Sequence, residues 1–356
     1  MMPPSPADSL VMREKHSTEH GEGRGRLSPQ REALLSARIK DLSLRLAGTP
    51  LERSIAQLHA ELEAKGISFK PQCYLSDEWG CPSGVPVIGL PFYLADPNLL
   101  SIEADLGGGA ETEAEILMYL RHEAGHAFNY AYRLYETQEW LRTFGDYSRP
   151  YRDDYKPQPF SRRYVSHISG WYAQKHPDED FAETFAVWLT PGSDWAKRYQ
   201  GWGALKKLQY VEAIVATLGR RPPVVTLATP DFTTEEMEGT VQDHYRQRDL
   251  DEKVDLELRD AFDQSLDDIF EGPGEAPVRA ETLVRAERQR MMALVSQYSG
   301  VSRGVVRALV DHLIERTAAM NLSLHPDDSR EAICRLVSLV TVMSMNYLYT
   351  DRFYEE

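Results

Sequence analysis

Five residues, His122-Glu123-Ala124-Gly125-His126, constrain this chain more than any other stretch, because their chemistry converges only inside a helix. Side chains four residues apart on an α-helix share a face, so His122 and His126 can turn two imidazoles toward one ion. Glu123 falls at the edge of that face, where a carboxylate can reach a water without joining the ligands. The flanks agree with a helix. Thr112-Glu113-Ala114-Glu115 reads as a capping box, and Ile116, Leu117, Leu120, Ala124, Ala127, Phe128, Ala131 and Tyr135 keep helical spacing to about Glu136. No proline interrupts the run, and its one glycine, Gly125, lies within the motif. On its own so short a motif recurs by chance, and a surface helix with two solvated histidines would satisfy it.

A metal held by two imidazoles needs a third protein ligand. His176 to Leu189 reads HPDEDFAETFAVWL, with Thr190-Pro191-Gly192 as a stop. Pro177 suits the first helical position, and Asp178, Glu179 and Asp180 suit the positive end of the helix dipole. Phe181, Ala182, Phe185, Val187, Trp188 and Leu189 make the rest apolar, so Glu183 sits among core residues and needs a partner. Glu179 and Glu183 are four apart. The economical arrangement puts Glu179 on the metal and Glu183 behind it, holding the second nitrogen of a ligand histidine. Two alternatives stay open: Glu179 as a mere helix-start acid, or Glu183 as the ligand with Asp180 in support. A site of His122, His126 and Glu179 suits one Zn2+ per chain and leaves a fourth position for water. Glu123 then assists attack of that metal-bound water on a carbonyl.

HEAGH and EDFAE together resemble the gluzincin class of zinc metallopeptidases. Within it they resemble the catalytic domain of anthrax lethal factor. The HPDEDFAETFA stretch is also similar to the bacterial "putative zinc-binding metallopeptidases". The resemblance covers about residues 112–195. It implies a zincin-like catalytic domain, an HExxH helix beside a small sheet, and a peptide or protein substrate. It also implies a role for Tyr172, seven residues before Glu179, as the donor that stabilises the oxyanion. His167 and Tyr164 compete for that post, and plain packing would also explain Tyr172. Asp180 departs from the lethal-factor pattern, which has an aromatic there.

Upstream, 84–94 looks extended, with Pro86 and Pro91 relegating it to an edge strand or an irregular segment, where substrate backbone could add. The aperiodic tract 142–166 is expected to roof the cleft, with Arg149, Arg152, Arg162 and Arg163 available for substrate carboxylates. Three cysteines do not suggest a disulfide framework. Cys81 is more simply a buried or turn cysteine than an inhibitory thiolate near the metal.

The expected fold is α+β and mostly helical. Residues 1–29 read as a disordered tail, 30–230 as the metallopeptidase domain, 231–279 as a charged helix and linker, and 280–356 as a C-terminal helical lobe. Helices are expected over Glu32–Ala47, Leu51–Lys65, Trp202–Leu218, Glu281–Ser299, Arg303–Met320 and Asp327–Tyr349. The lobe carries no ligand set and reads as a packing or docking surface. A net charge of −15 argues against nucleic-acid partners. The N-terminus lacks the apolar core of a signal peptide, and 336–349 reads as too short and too polar for a membrane span, so a cytoplasmic enzyme is expected. A small-amide hydrolase on the same site and a non-catalytic zinc-binding regulator are the competing functions. Glu123 favours chemistry over a structural metal.

Overall fold

The computed structural model describes residues 29–106, 110–151, 155–226, 229–251, 258, 260–270, 272 and 277–353. Residues 1–28 of the expected N-terminal tail lie outside them, and Pro29 already belongs to a helix. The described chain is mostly helical with two small sheets, an α+β composition.

The order begins α1 (Pro29–Ser36), α2 (Pro50–Ala64), β1 (Gln72–Ser76), β2 (Val87–Pro91), α3 (Pro97–Leu106), α4 (Glu113–Ala131), α5 (Gln138–Phe144) and α6 (Pro177–Leu189). It continues α7 (Trp195–Arg198), α8 (Ala204–Leu218), α9 (Val241–Asp251), α10 (Asp263–Ile269), β3 (Val278–Arg279), α11 (Ala280–Ser299), α12 (Arg303–Ala319), β4 (Ser323–Leu324) and α13 (Ser329–Thr350).

α4 opens as its sequence requires. The Thr112 hydroxyl accepts from the Glu115 amide, and the Glu115 carboxylate accepts from the Thr112 amide at 2.9 Å. It stops at Ala131, short of the periodicity, because Arg133 takes a left-handed conformation and the chain turns into a short 3-10 segment. Arg121, next to the motif, forms a two-pronged pair with Glu61 of α2, both contacts at 2.7 Å. α6 starts at Pro177, and the His176 side chain caps it by accepting from the Asp178 amide at 3.1 Å. Every residue of α6 is buried.

α4 and α6 pack at unusually close range. An added Cβ on Gly125 would stand 2.8 Å from the Ala182 Cα and 3.0 Å from the Ala182 carbonyl oxygen. Only glycine lets the backbones approach this far. Beside this contact Phe128 and Phe185 stack with centroids 5.3 Å apart.

Three expectations need correction. The run Glu32–Ala47 is not one helix. α1 ends at Ser36, and Ile39–Leu42 forms a 3-10 turn because the Ile39 amide is drawn to the Gly239 carbonyl and Arg38 bridges to Thr240. β2 is an edge strand, as expected, since its sheet has two strands among the described residues, but it is not free along its length for an added strand. Beyond its parallel pairing with β1, Gly89 bridges Gly80 on the other side, and all five residues are buried. Pro91 is tolerated because it closes the strand. Third, the charged stretch after 230 does not merely link two units: Met237, Val241 and Tyr245 pack into the first core with the site helices.

A second core gathers Leu258, Phe262, Leu266 and Phe270 with the apolar faces of α11, α12 and α13. Arg303 reaches Glu115 at the start of α4, and the α11–α12 corner sits on the tract before Tyr172. At that corner Gly300 has φ +80°, and a Cβ there would lie 2.8 Å from Pro157 Cγ and 3.2 Å from Trp171 Cδ1. α13 forms where a helix is expected over 327–349, and the apolar stretch extends further back than 336. Pro326–Thr350 is long and apolar enough to cross a membrane by length and composition, while Ala332, Leu336, Val340 and Ser344 turn into the second core.

Candidate metal centre

α4 contributes His122, Glu123 and His126, and α6 contributes Asp178, Glu179 and Glu183; all six are buried. The His122 and His126 Nε2 atoms lie 3.1 Å apart, and one Glu179 oxygen, Oε2, stands 2.9 and 3.2 Å from them. Behind each ring a second carboxylate takes the other nitrogen. His122 Nδ1 lies 3.0 Å from Glu183 Oε1, and His126 Nδ1 lies 3.0 Å from Asp178 Oδ2. A carboxylate can only accept, so each Nδ1 carries the hydrogen and, in the neutral ring, each Nε2 presents a lone pair. With both rings neutral, three acceptors converge on one point, which protons on the Nε2 atoms or a metal cation can satisfy. Tetrahedral zinc with bonds of ~2.1 Å holds its donors about 3.4 Å apart, so the triangle needs to widen by only a few tenths of an ångström. His122, His126 and Glu179 thus form a buried cluster suited to one metal ion, and zinc is the ion that the donor set fits.

The electrostatics match. Burial opposes charge on His122, but hydrogen bonds to Glu179 and Glu183 outweigh it and raise its pKa to about 9. For His126 burial is likewise outweighed, by Asp178 and Glu179. Glu179 is held well below its ordinary value: the two histidines overcome the effect of burial. Glu123 moves the other way. Burial pushes its carboxyl up, helped by Glu179 and Asp178 and opposed by the histidines. Glu123 forms no hydrogen bond or salt bridge among the described residues.

Glu183 is fully buried and saturated, taking the amides of His167 and Ile168 as well as His122. Asp180 points elsewhere, to Lys207 Nζ at 2.6 Å, so it does not support a Glu183-ligated site. Tyr172 follows Gly170 and Trp171, both at positive φ, and its ring lies 5.6 Å from that of His122. Its hydroxyl makes no hydrogen bond among the described residues. Neither rival for its post lines the cavity: Lys207 covers the Tyr164 ring, and His167 Nε2 donates to the Met118 carbonyl.

A cavity of about 360 Å³ opens over the three ligands. Its walls include Trp79, Gly80, Cys81 and Ser83 and none of 84–94, so the segment along the cleft lies just before the one expected. Cys81 does reach this wall. Its thiol contacts the Val85 carbonyl at 3.3 Å, and burial with Glu123 and Asp178 nearby pushes its pKa well up, which disfavours a thiolate. From the 142–166 tract, Tyr147, Arg149 and Tyr151 line the cavity. Arg162 instead lies over Trp202, Arg163 is not among the lining residues, and Arg152 is outside the described residues.

Sequence reasoning missed two contributors. Asp178, read as a dipole acid, also accepts from Asn129 Nδ2 at 2.7 Å and from the Tyr130 hydroxyl. Asn129 and Tyr130 continue the His122–His126 stripe one turn on, a polar extension that could have signalled a partner. Tyr151 donates to Glu179 Oε1 and stacks on His176 at 4.3 Å, while His176 Nε2 donates to the Arg149 carbonyl at 2.7 Å. Nothing in its aperiodic tract marked it.

The paired helices thus define a candidate metal site, with the HExxH histidines on one helix and Glu179 on the other. Residues 110–203 match the family described as "Putative zinc-binding metallo-peptidase". No curated protein and no solved structure matches the chain.

Proposed function

We propose that this protein is a zinc-dependent peptidase of gluzincin type. Its catalytic unit would be zincin-like, with a ligand pattern resembling that of the lethal-factor catalytic domain, acting on a peptide or protein substrate. One observation carries the reading: Glu123 is buried beside the ligand cluster, makes no hydrogen bond among the described residues, and has its pKa raised by burial. A metal that only braces a fold has no use for such a group, whereas hydrolysis needs a base within reach of the attacking water.

Zinc, when bound, supplies Lewis acidity, lowering the pKa of water and polarising a carbonyl. The chain's own residues do the rest. Glu123 accepts the proton of the attacking water and passes it to the leaving amine. Tyr172, whose hydroxyl burial and nearby carboxylates keep protonated, donates to the developing oxyanion. Glu183 and Asp178 hold the imidazoles in the tautomer that leaves Nε2 bare. Tyr151 keeps the second Glu179 oxygen occupied, so one oxygen faces the ligand point.

The test is zinc content by mass spectrometry with turnover of peptides of several lengths and of short N-acyl amides. Wild type with one zinc per chain that cleaves peptides, beside Glu123→Gln that keeps zinc and loses cleavage, is expected. Cleavage of acyl amides alone would move the reading to a small-amide hydrolase. Zinc without turnover on any substrate would leave a regulatory metal protein.

A further inference from the structure

Trp79 walls two cavities. One is the metal cavity. The other, about 650 Å³, lies between the segment after β1 and the start of α9 and contains none of the metal-site residues. Its size falls in the range of ligand-binding pockets. Trp79 is held in place in the wall the two cavities share, stacked on Tyr119 at 5.3 Å and donating to Glu111 at 3.0 Å.

The apolar part of the second cavity's lining is Ile39, Trp79, Pro91, Tyr93 and Met237, with Phe232 at its rim. Carboxylates surround it, from Asp77, Glu78, Glu236, Glu238 and Asp243. Two of these are already countered, Glu238 by Lys40 and Arg38 and Asp243 by Arg246, and Arg248 is taken by Glu103. Asp77 and Glu78 have no ion pair among the described residues. His244 also lines it, with Nε2 buried and unpartnered among the described residues, and burial with Arg248 nearby lowers its pKa to about 4, leaving the ring neutral.

Phe232 is the unusual member. It is 54% exposed and has φ +47°, a conformation that bulky residues rarely adopt. Its neighbours hold it there: the Tyr74 hydroxyl donates to Asp231 at 2.9 Å, and the Ser76 hydroxyl donates to the Phe232 carbonyl at 3.0 Å. A strained aromatic kept half in water at the rim of an apolar pocket points to a contact made with something else.

We propose that this pocket anchors a polypeptide by one aromatic side chain flanked by lysine or arginine, in the same substrate whose scissile bond enters the metal cavity beyond Trp79. The apolar walls take the ring, and the acidic rim takes the flanking cations. The link to a scissile bond rests on the peptidase reading; binding in the pocket does not.

The test uses zinc-loaded Glu123→Gln protein and calorimetry with blocked nonapeptides of alanine and serine carrying a central Lys-Phe-Lys. Replacing the peptide's Phe with Ala, or its two Lys with Glu, is expected to weaken binding at least tenfold. Phe232→Gly should abolish that preference while leaving the melting temperature unchanged or higher, because glycine accepts the positive φ. Gly239→Phe should block the pocket; a Cβ there meets only Asp243 Cβ, at 3.8 Å. Equal affinity for the Phe and Ala peptides, or unchanged preference in both variants, would overturn the pocket. Cleavage by wild type without such preference keeps the peptidase reading and sinks the anchor. Selective binding without cleavage of any peptide keeps the pocket and sinks its link to a scissile bond.

Discussion

Gly125→Ala tests whether the close approach of α4 and α6 builds the metal centre. The new methyl would lie 2.8 Å from the Ala182 Cα, 3.0 Å from its carbonyl oxygen and 3.1 Å from Phe185 Cβ. Two of these atoms are backbone, so no rotamer change relieves the clash. Ordinary contact begins at 3.4 Å, so full relief separates the helices by 3.4 − 2.8 = 0.6 Å there, and 3.0 − 2.8 = 0.2 Å is the least they must move. A ligand distance is held to within about 0.2 Å, so full relief exceeds that margin about threefold and even the least movement reaches it. The stability balance is less one-sided. Alanine gains about 1 kcal/mol of helix propensity over glycine, against an overpacking cost of about 1–3 kcal/mol. We expect a small loss of stability and zinc affinity weakened on the order of tenfold or more, comparable to losing a supporting carboxylate. Competition with a chromophoric chelator reads the affinity, and thermal melting of the stripped protein reads the stability. Gly125→Ala protein that binds zinc as tightly as wild type would refute the reasoning.

Asp178→Asn should keep the fold but weaken zinc binding by about 10–100-fold, since His126 Nδ1 loses its carboxylate; chelator competition measures it. Tyr172→Phe should keep one zinc per chain and lower kcat by about 10²–10³ on a cleaved peptide, if its hydroxyl serves the oxyanion; unchanged kcat would remove that role. Zinc and protons compete for the same ring nitrogens. His122 in stripped protein has its pKa raised to about 9, so zinc must displace a proton at neutral pH, and affinity should fall as pH drops below about 9. Calorimetry in buffers of different ionisation enthalpy should detect proton release at pH 7. The same shift makes the charged ring a contributor to the stability of the stripped fold. That contribution is fully present below the unfolded value of 6.5 and lost as pH rises through about 9.

The parts of the site written locally were legible in the sequence. The Thr112 box, the HEAGH spacing and Pro177 each act within one or two turns, and they place His122, His126 and Glu179 on two buried helices. What escaped depends on long-range geometry. Asp178 looks like any acid at a helix start until Tyr130 and Asn129 arrive from α4. Tyr151 sits in a tract with no period. The break after Ser36 depends on Gly239, some two hundred residues away in sequence, and helical periodicity at 32–47 contains no trace of it. β2 reads as an edge from its prolines and is one, but nothing in its own residues shows that Gly80 bridges it at Gly89.

The cluster donors sit far apart along the chain: His126 and Glu179 are separated by 179 − 126 = 53 residues. An ion bridging them therefore also acts as a cross-link. By the chain-entropy relation for a closed loop, a tie of that span removes about 4 kcal/mol of freedom from the unfolded ensemble, provided it persists there. If it binds the folded chain alone, its whole affinity adds to folding by mass action. In either case the loop from α4 to α6, which includes Tyr151 and Tyr172, is tethered at both ends by the ion. The lifetime of the protein in the presence of a protease should then follow zinc supply, with the first cuts in 132–176 marking chains that have lost their metal.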